Sequence, residues 1–141
     1  MPDHSNGPAF TADGTTMYLA DSAEGRIDRH AVDPRTGELG EPSVFATIPD
    51  GSPDGMTVDE EDHLWVAVWG GSAVHRYAPD GRLDRVVPLP TPQPASVCLA
   101  GGRLLVTTAA YGLDRVTPGA GAVYAVDGVA PGRPANAFTL G

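Results

Sequence analysis

The run Met17-Tyr18-Leu19-Ala20 returns as Leu64-Trp65-Val66-Ala67 and again as Leu104-Leu105-Val106-Thr107, at intervals of 47 and 40 residues. Self-similarity at a spacing of roughly 40 to 50 residues means that the chain is built from like units, each one supersecondary structure long. Ahead of the first two copies stands an oxygen-bearing side chain followed by glycine, Asn6-Gly7 in one unit and Asp54-Gly55 in the other. If the units are arranged around an axis, these two side chains point at it.

Between the repeats the chain is punctuated by 18 Gly and 14 Pro, against average usages of about 7% and 5%. Such spacing of breakers fits many short strands and turns rather than helices. The first unit, 5–49, carries apolar or alternating runs at Pro8 to Thr11, Thr16 to Ala20, Arg26 to Val32 and Ser43 to Ile48. Asp13-Gly14 and Asp33-Pro34-Arg35-Thr36-Gly37 supply the turn chemistry between them. The second unit, 53–90, repeats the plan at Met56 to Val58, Leu64 to Val68, Ala73 to Tyr77 and Arg85 to Leu89. The third, 94–141, has Ala95 to Leu99, Arg103 to Thr108 after Gly101-Gly102, Ala122 to Val126, and a weak fourth run at Ala135 to Leu140.

About four strands per unit at this period is the pattern of propeller blades. A β-sandwich also turns every 8 to 12 residues, but it does not require the internal equivalences. The expected fold is therefore all-β: about three four-stranded blades of a β-propeller. Because propellers typically close with about four to eight blades, three leave an apolar face open at each end. Either further blades lie outside this sequence, or two copies associate through the open faces.

The chain of 141 residues has a formal charge of −9, and its nine basic residues are all Arg. An acidic surface repels phosphate backbones, so nucleic acid is not expected as a partner. No apolar run approaches 18 residues, and no charged-then-apolar leader opens the sequence, so the expectation is a soluble, cytoplasmic protein with no membrane contact. The single Cys98 excludes an internal disulfide. It sits in an apolar run, where it should behave as a small hydrophobe.

Several stretches in sequence, namely Ser5-Asn6-Gly7, Asp13 to Ser22, Pro53 to Asp59, Leu64 to Ala67 with Trp69-Gly70-Gly71, and Gly121-Ala122-Val123-Tyr124, together resemble the SMP-30/gluconolactonase/luciferin-regenerating family. The resemblance spans nearly the whole chain and implies the C-terminal half of a six-bladed propeller, a half propeller with an incomplete ring. It also implies one divalent cation (Ca2+, Zn2+, Mn2+ or Mg2+) in the central channel and hydrolysis of sugar lactones. Carried across by motif, the family's metal-binding Asn and Asp fall on Asn6 and Asp54, and Asp54 is also the implied general base. The family's Glu ligand and substrate-gripping Arg and Asn have no counterpart here, so the site is expected to be incomplete and the isolated chain weakly active or inactive. The competing expectation is a non-catalytic propeller fragment that mediates protein contacts or results from a truncated reading frame.

By their chemistry alone, a carboxylate and an amide oxygen suit a hard cation. Asn-Gly and Asp-Gly are equally ordinary turn dipeptides. Asp50 precedes a glycine with no strand directly behind it and reads as a loop residue. His4, His30, His63 and His75 are dispersed without metal-ligand spacing. Ser96 opens the third unit where Asn6 and Asp54 open theirs, which places it at the channel wall or else in a packing or turn role. Trp65 reads as packing core, and Trp69 as a loop residue at the channel rim.

Overall fold

The computed structural model describes residues 5–100, 102–109 and 122–127. Among the described residues eleven strands form three antiparallel sheets in chain order. The first sheet holds β1 (Ser5–Phe10), β2 (Thr16–Asp21), β3 (Arg26–Ala31) and β4 (Ser43–Thr47). The second holds β5 (Ser52–Val58), β6 (Leu64–Trp69), β7 (Ala73–Tyr77) and β8 (Leu83–Pro88). The third holds β9 (Pro94–Ala100), β10 (Arg103–Thr108) and β11 (Val123–Asp127). Each sheet is a simple meander in which neighbours in sequence are neighbours in the sheet, as short turns between antiparallel strands dictate. The fourth run foreseen in the third unit, Ala135 to Leu140, lies outside the described residues.

The sheets are stacked, with the second between the other two. Tyr18, Ile27 and Phe45 of the first sheet pack on Leu64, Val66 and Val68 of the second. The opposite face of the second sheet, with Trp65, Ala67 and Val74, packs on Val97, Leu104 and Val106 of the third. Burial on both faces explains why β6 reads as an unbroken apolar run from Leu64 to Val68, every residue of it buried. Burying a side chain of this size contributes about 1.5–3 kcal/mol, so β6 is the centre of the fold. Among the described residues no helix is long and apolar enough to cross a membrane.

One cluster of charge lies inside this apolar frame. Asp59, at the end of β5, is buried, as is Arg76 on β7. One Asp59 oxygen accepts hydrogen bonds from Trp65 Nε1 at 2.9 Å and from Arg76 Nε and Nη2 at 3.0 and 2.8 Å. The other accepts from the backbone N–H groups of Glu61 and His63. Glu61 and Asp84 pair with the outer edge of the same guanidinium. A buried ion pair is tolerable only when satisfied this fully, and here it ties the β5–β6 turn to β7 and β8.

The first strand of each sheet is the one that meets its counterparts: β5 touches both β1 and β9. Ser22 Oγ, in the turn after β2, donates to the Pro53 carbonyl at 2.8 Å and ties the first sheet to the start of β5. The axis of the stack therefore runs along β1, β5 and β9.

Candidate functional site

Each of the three axial strands is irregular near its start. In β1 the pairing passes from Asn6 with Ala20 to Ala9 with Tyr18, so that Gly7 and Pro8 share one partner position on β2. In β5 it passes from Pro53 with Val68 to Met56 with Val66, leaving Asp54 and Gly55 together opposite Ala67. In β9 it passes from Ser96 with Thr107 to Pro94 with Thr108, with Ala95 as the extra residue. Ala20, Ala67 and Thr107 are the equivalent positions of the repeated run. A β-bulge inserts one unpaired residue, increases local twist and re-aims side chains.

This placement alters the sequence reading of the motifs. Asn6-Gly7 and Asp54-Gly55 do not form turns ahead of the strands; they lie within strands that begin earlier than expected, at Ser5 and Ser52. The reason is that a bulge accommodates a turn-forming dipeptide inside a paired strand, which the composition of the dipeptide cannot reveal. Asn6 stands at the same level of β1 as Asp54 does on β5.

Asp54 is partly buried. Loss of hydration raises its pKa above the ordinary carboxylate value of 3.8, opposed by a hydrogen bond from the Gly55 backbone N–H. Among the described residues no cationic side chain pairs with it. A carboxylate drawn out of water without a counter-charge is a position that a cation would stabilise, so its chemistry fits a hard divalent ion. Among the described residues no group of three or more His, Cys, Asp or Glu side chains gathers to hold a metal.

Gly55 explains how closely the axial strands approach. A Cβ added there would lie 2.6 Å from Ser96 Cβ, 2.7 Å from Ser96 Cα and 2.9 Å from the Ala95 carbonyl oxygen. No side chain fits, so glycine is required where β5 crosses β9. Further along the axis, Pro8, Ala9, Phe10, Met56, Thr57 and Leu99 help to line a cleft of about 380 Å³. A larger cleft of about 620 Å³ opens away from the axis between β4 and the outer strands of the second sheet, with Phe45, Val68, Tyr77 and Val86 in its walls. Its mostly apolar lining offers little to hold a cation or a polyhydroxylated molecule.

The remaining candidates separate. Asp50 is exposed in the loop between β4 and β5. The His30, His63 and His75 rings each face a different partner, the Gly40 carbonyl, the Glu61 carbonyl and the Tyr77 hydroxyl. His4 lies outside the described residues. Trp65 is fully buried, whereas Trp69 ends β6 in register with Ser52 rather than lying in a loop. Cys98, expected to behave as a small hydrophobe within its strand, is exposed, because its place in the strand alternation turns it to the face of β9 away from the second sheet. The Asp59–Arg76 contact went unread in the sequence, where the two are 17 residues apart with nothing to mark them as partners.

Residues 3–110 match the model of the SMP-30/Gluconolactonase/LRE-like region. An L-arabinolactonase of Azospirillum brasilense is 46% identical over 115 residues, covering 78% of this chain and 37% of that protein. A solved luciferin-regenerating enzyme superposes with a TM-score of 0.81 at 32% identity, covering 96% of this chain and 49% of that one. A solved calcium-binding protein, regucalcin from Agrobacterium tumefaciens, also gives 0.81, at 36% identity over 86% of this chain and 45% of that one. The chain spans about half the length, or less, of the curated relatives it matches. The three antiparallel sheets agree with a partial β-propeller of the kind these solved relatives share.

The extent of the family match corrects the sequence reading. The matched region is the N-terminal part of this chain, 3–110, not the whole chain read as the C-terminal half of a family member, and it excludes Gly121-Ala122-Val123-Tyr124. Physically, it covers the first two sheets and the first two strands of the third.

Proposed function

Because the chain belongs to the SMP-30/gluconolactonase/LRE-like family, we propose that it serves the metal-dependent hydrolysis of sugar lactones, with its three sheets as blades of a six-bladed propeller. The observation that carries this reading is Asp54, a partly buried carboxylate without a cationic partner among the described residues, set in the bulge of an axial strand. The lactonase and calcium-binding names of the relatives support the substrate class and the cation.

In this reading Asn6 and Asp54 hold one divalent cation, of which Ca2+, Mn2+, Zn2+ and Mg2+ accept oxygen donors. When bound, such an ion polarises a lactone carbonyl and acidifies water. Asp54 accepts the proton of a water as its oxygen bonds to the carbonyl carbon. The ring C–O bond then breaks and its oxygen takes up a proton, which releases the open hydroxy acid. Gly55, by letting β5 lie against β9, fixes the backbone that carries Asp54.

Two protein oxygens, one of them neutral, bring a single negative charge, whereas a Ca2+ ion takes about 6–8 oxygen ligands. The 141-residue chain on its own therefore binds its ion weakly and turns lactones over slowly. Calorimetric titration with Ca2+ and Mn2+, paired with a pH-stat assay on glucono-δ-lactone, tests the reading. Asp54→Asn should abolish cation binding and the metal-dependent hydrolysis, while Asp50→Asn should change neither. Cation binding and hydrolysis that survive Asp54→Asn intact, or a wild-type chain that binds no cation at about 10 mM, overturn it.

A further inference from the structure

The two contacts between sheets are one contact made twice. At the second position of the repeated run, Tyr18 of the first sheet turns to the second sheet, and Trp65 of the second turns to the third. At the first and third positions, Leu64 and Val66 turn back to the first sheet, and Leu104 and Val106 turn back to the second. Each contact therefore sets the forward face of one sheet on the backward face of the next. That is the head-to-tail arrangement, which closes into a ring when its rotation allows.

Among the described residues, no sheet lies on the forward face of the third sheet or on the backward face of the first. The former carries Leu105 in line with Cys98 and Ala125, and Thr107 in line with Val123. The latter carries Met17 in line with Phe10 and His30, and Leu19 in line with Asp28, beside Val44. Val123 and Phe10 are each 49% exposed, Val44 is 61% exposed, and Cys98 is exposed as well. Leu105 stands where Tyr18 and Trp65 stand, and Met17 and Leu19 where Leu64 and Val66 do. Both faces thus repeat the positions that the internal contacts bury, and apolar groups gathered in this way mark an interaction surface.

The number of sheets selects the occupant. Sheets packed in this way close with about four to eight blades. Three from one chain are too few and nine from three chains too many, whereas two chains bring six. Pairing about a two-fold axis then uses both open faces of both chains. The luciferin-regenerating enzyme, of which this chain covers 49%, is about two such lengths long in a single chain.

We propose that the forward face of the third sheet docks on the backward face of the first sheet of a second copy of this chain, and that the closed pair brings two Asp54 and two Asn6 side chains to one axis. This rests on the cation-binding reading of Asp54 and deepens it. The pair supplies two carboxylates and two amide oxygens where a single chain supplies one of each, nearer to the charge and the roughly 6–8 oxygens that Ca2+ takes. An ion that binds the pair more tightly than the single chain stabilises the pair by mass action.

Light scattering on a dilution series of the full chain tests the docking. At about 100 μM, well above the micromolar end of the range for protein pairs, the mass should be twice that of the chain, falling to the single mass on dilution. Cys98, the sole thiol, reports which face is covered. Its rate of modification by a soluble maleimide should fall about tenfold as the pair forms, because a reagent reaches it only in the open single chain. Val123→Glu and Phe10→Glu alter opposite members of the contact at exposed places, and each should raise the dissociation constant about tenfold or more. Val86→Glu, at an exposed apolar residue in the side cleft, should leave it unchanged. Ca2+ at about 10 mM should lower the constant about tenfold in the wild type and have no effect in Asp54→Asn, which still pairs in EDTA. A chain that stays single at the highest concentration, even if another polypeptide captures it, or a pair in which Cys98 keeps its single-chain rate, overturns the docking. Ca2+ binding that is lost in Asp54→Asn would then leave the lactonase reading in place. A pair that protects Cys98 but gains nothing from Ca2+ overturns the shared axis, and the lactonase reading falls with it only if calorimetry finds no Ca2+ bound at all.

Discussion

Replacing Asp59 with Asn removes one charge while keeping the side chain's shape, in a place where the structure leaves no alternative partner. The carboxylate is fully buried, and its two oxygens accept from five donors: Trp65 Nε1, Arg76 Nε and Nη2, and the backbone N–H groups of Glu61 and His63. An amide has one acceptor and one donor end. In either orientation its NH2 faces buried donors, so at least two are left unsatisfied, at about 1–3 kcal/mol each. Breaking a buried ion pair from one side costs about 3–5 kcal/mol. Glu61 and Asp84 still neutralise part of the Arg76 charge, which puts the loss at the lower end, about 3 kcal/mol. Against a total stability of about 5–15 kcal/mol that is a large share. Urea unfolding followed by the emission of Trp65, which is buried beside the change, should show the midpoint falling by about 1–3 M. The exposed pair Arg35–Asp33 provides the control, with Arg35→Gln costing less than about 0.5 kcal/mol. A loss below about 1 kcal/mol in Asp59→Asn would refute the view that this network clamps the second sheet.

Two further outcomes follow from the packing. Gly55→Ala forces a methyl into contact with Ser96 and the Ala95 carbonyl, where only backbone can yield, so it should cost about 1–3 kcal/mol and weaken cation binding with it. Gly40→Ala meets nothing closer than 3.5 Å and should be nearly neutral, both read from thermal midpoints. Burial holds the His75 imidazole below its ordinary 6.5, so the unfolded chain takes up a proton there before the folded one does. Its contribution is present above pH 6.5 and is lost as the pH falls through the folded value. Urea midpoints measured from pH 7.5 downward should therefore decline less in His75→Gln than in the wild type, and equal slopes would contradict the assignment.

The order of the eleven described strands was legible in the sequence because turn chemistry and apolar runs are local. Asp13-Gly14, Gly81 and the repeated Met17, Leu64 and Leu104 runs mark hairpins whose strands pair with their neighbours in sequence. The common level of Asn6 and Asp54 was legible too, since each precedes an equivalent run by a similar distance, whereas the register makes Ala95, not Ser96, their counterpart on β9. The bulges were not, because a bulge is a relation between two strands and Asp-Gly has the same composition in a turn as in a widened strand.

What the tertiary structure decided was sidedness and contact across sheets. Stacking the second sheet between two others buries both faces of β6, while the same alternation on β9, covered on one face, leaves Cys98 and Ser96 exposed. Nothing in the residues Gly55 and Ser96 themselves announces that they touch, since their approach is fixed by the angle at which β5 and β9 meet along the axis. Asp59 and Arg76 likewise become partners only because β6 brings the end of β5 beside the middle of β7. Sequence by itself determined which residues could lie at the axis, through local pattern and period. Only the packing of the sheets, which sets distances between residues far apart in the chain, determined which of them meet there.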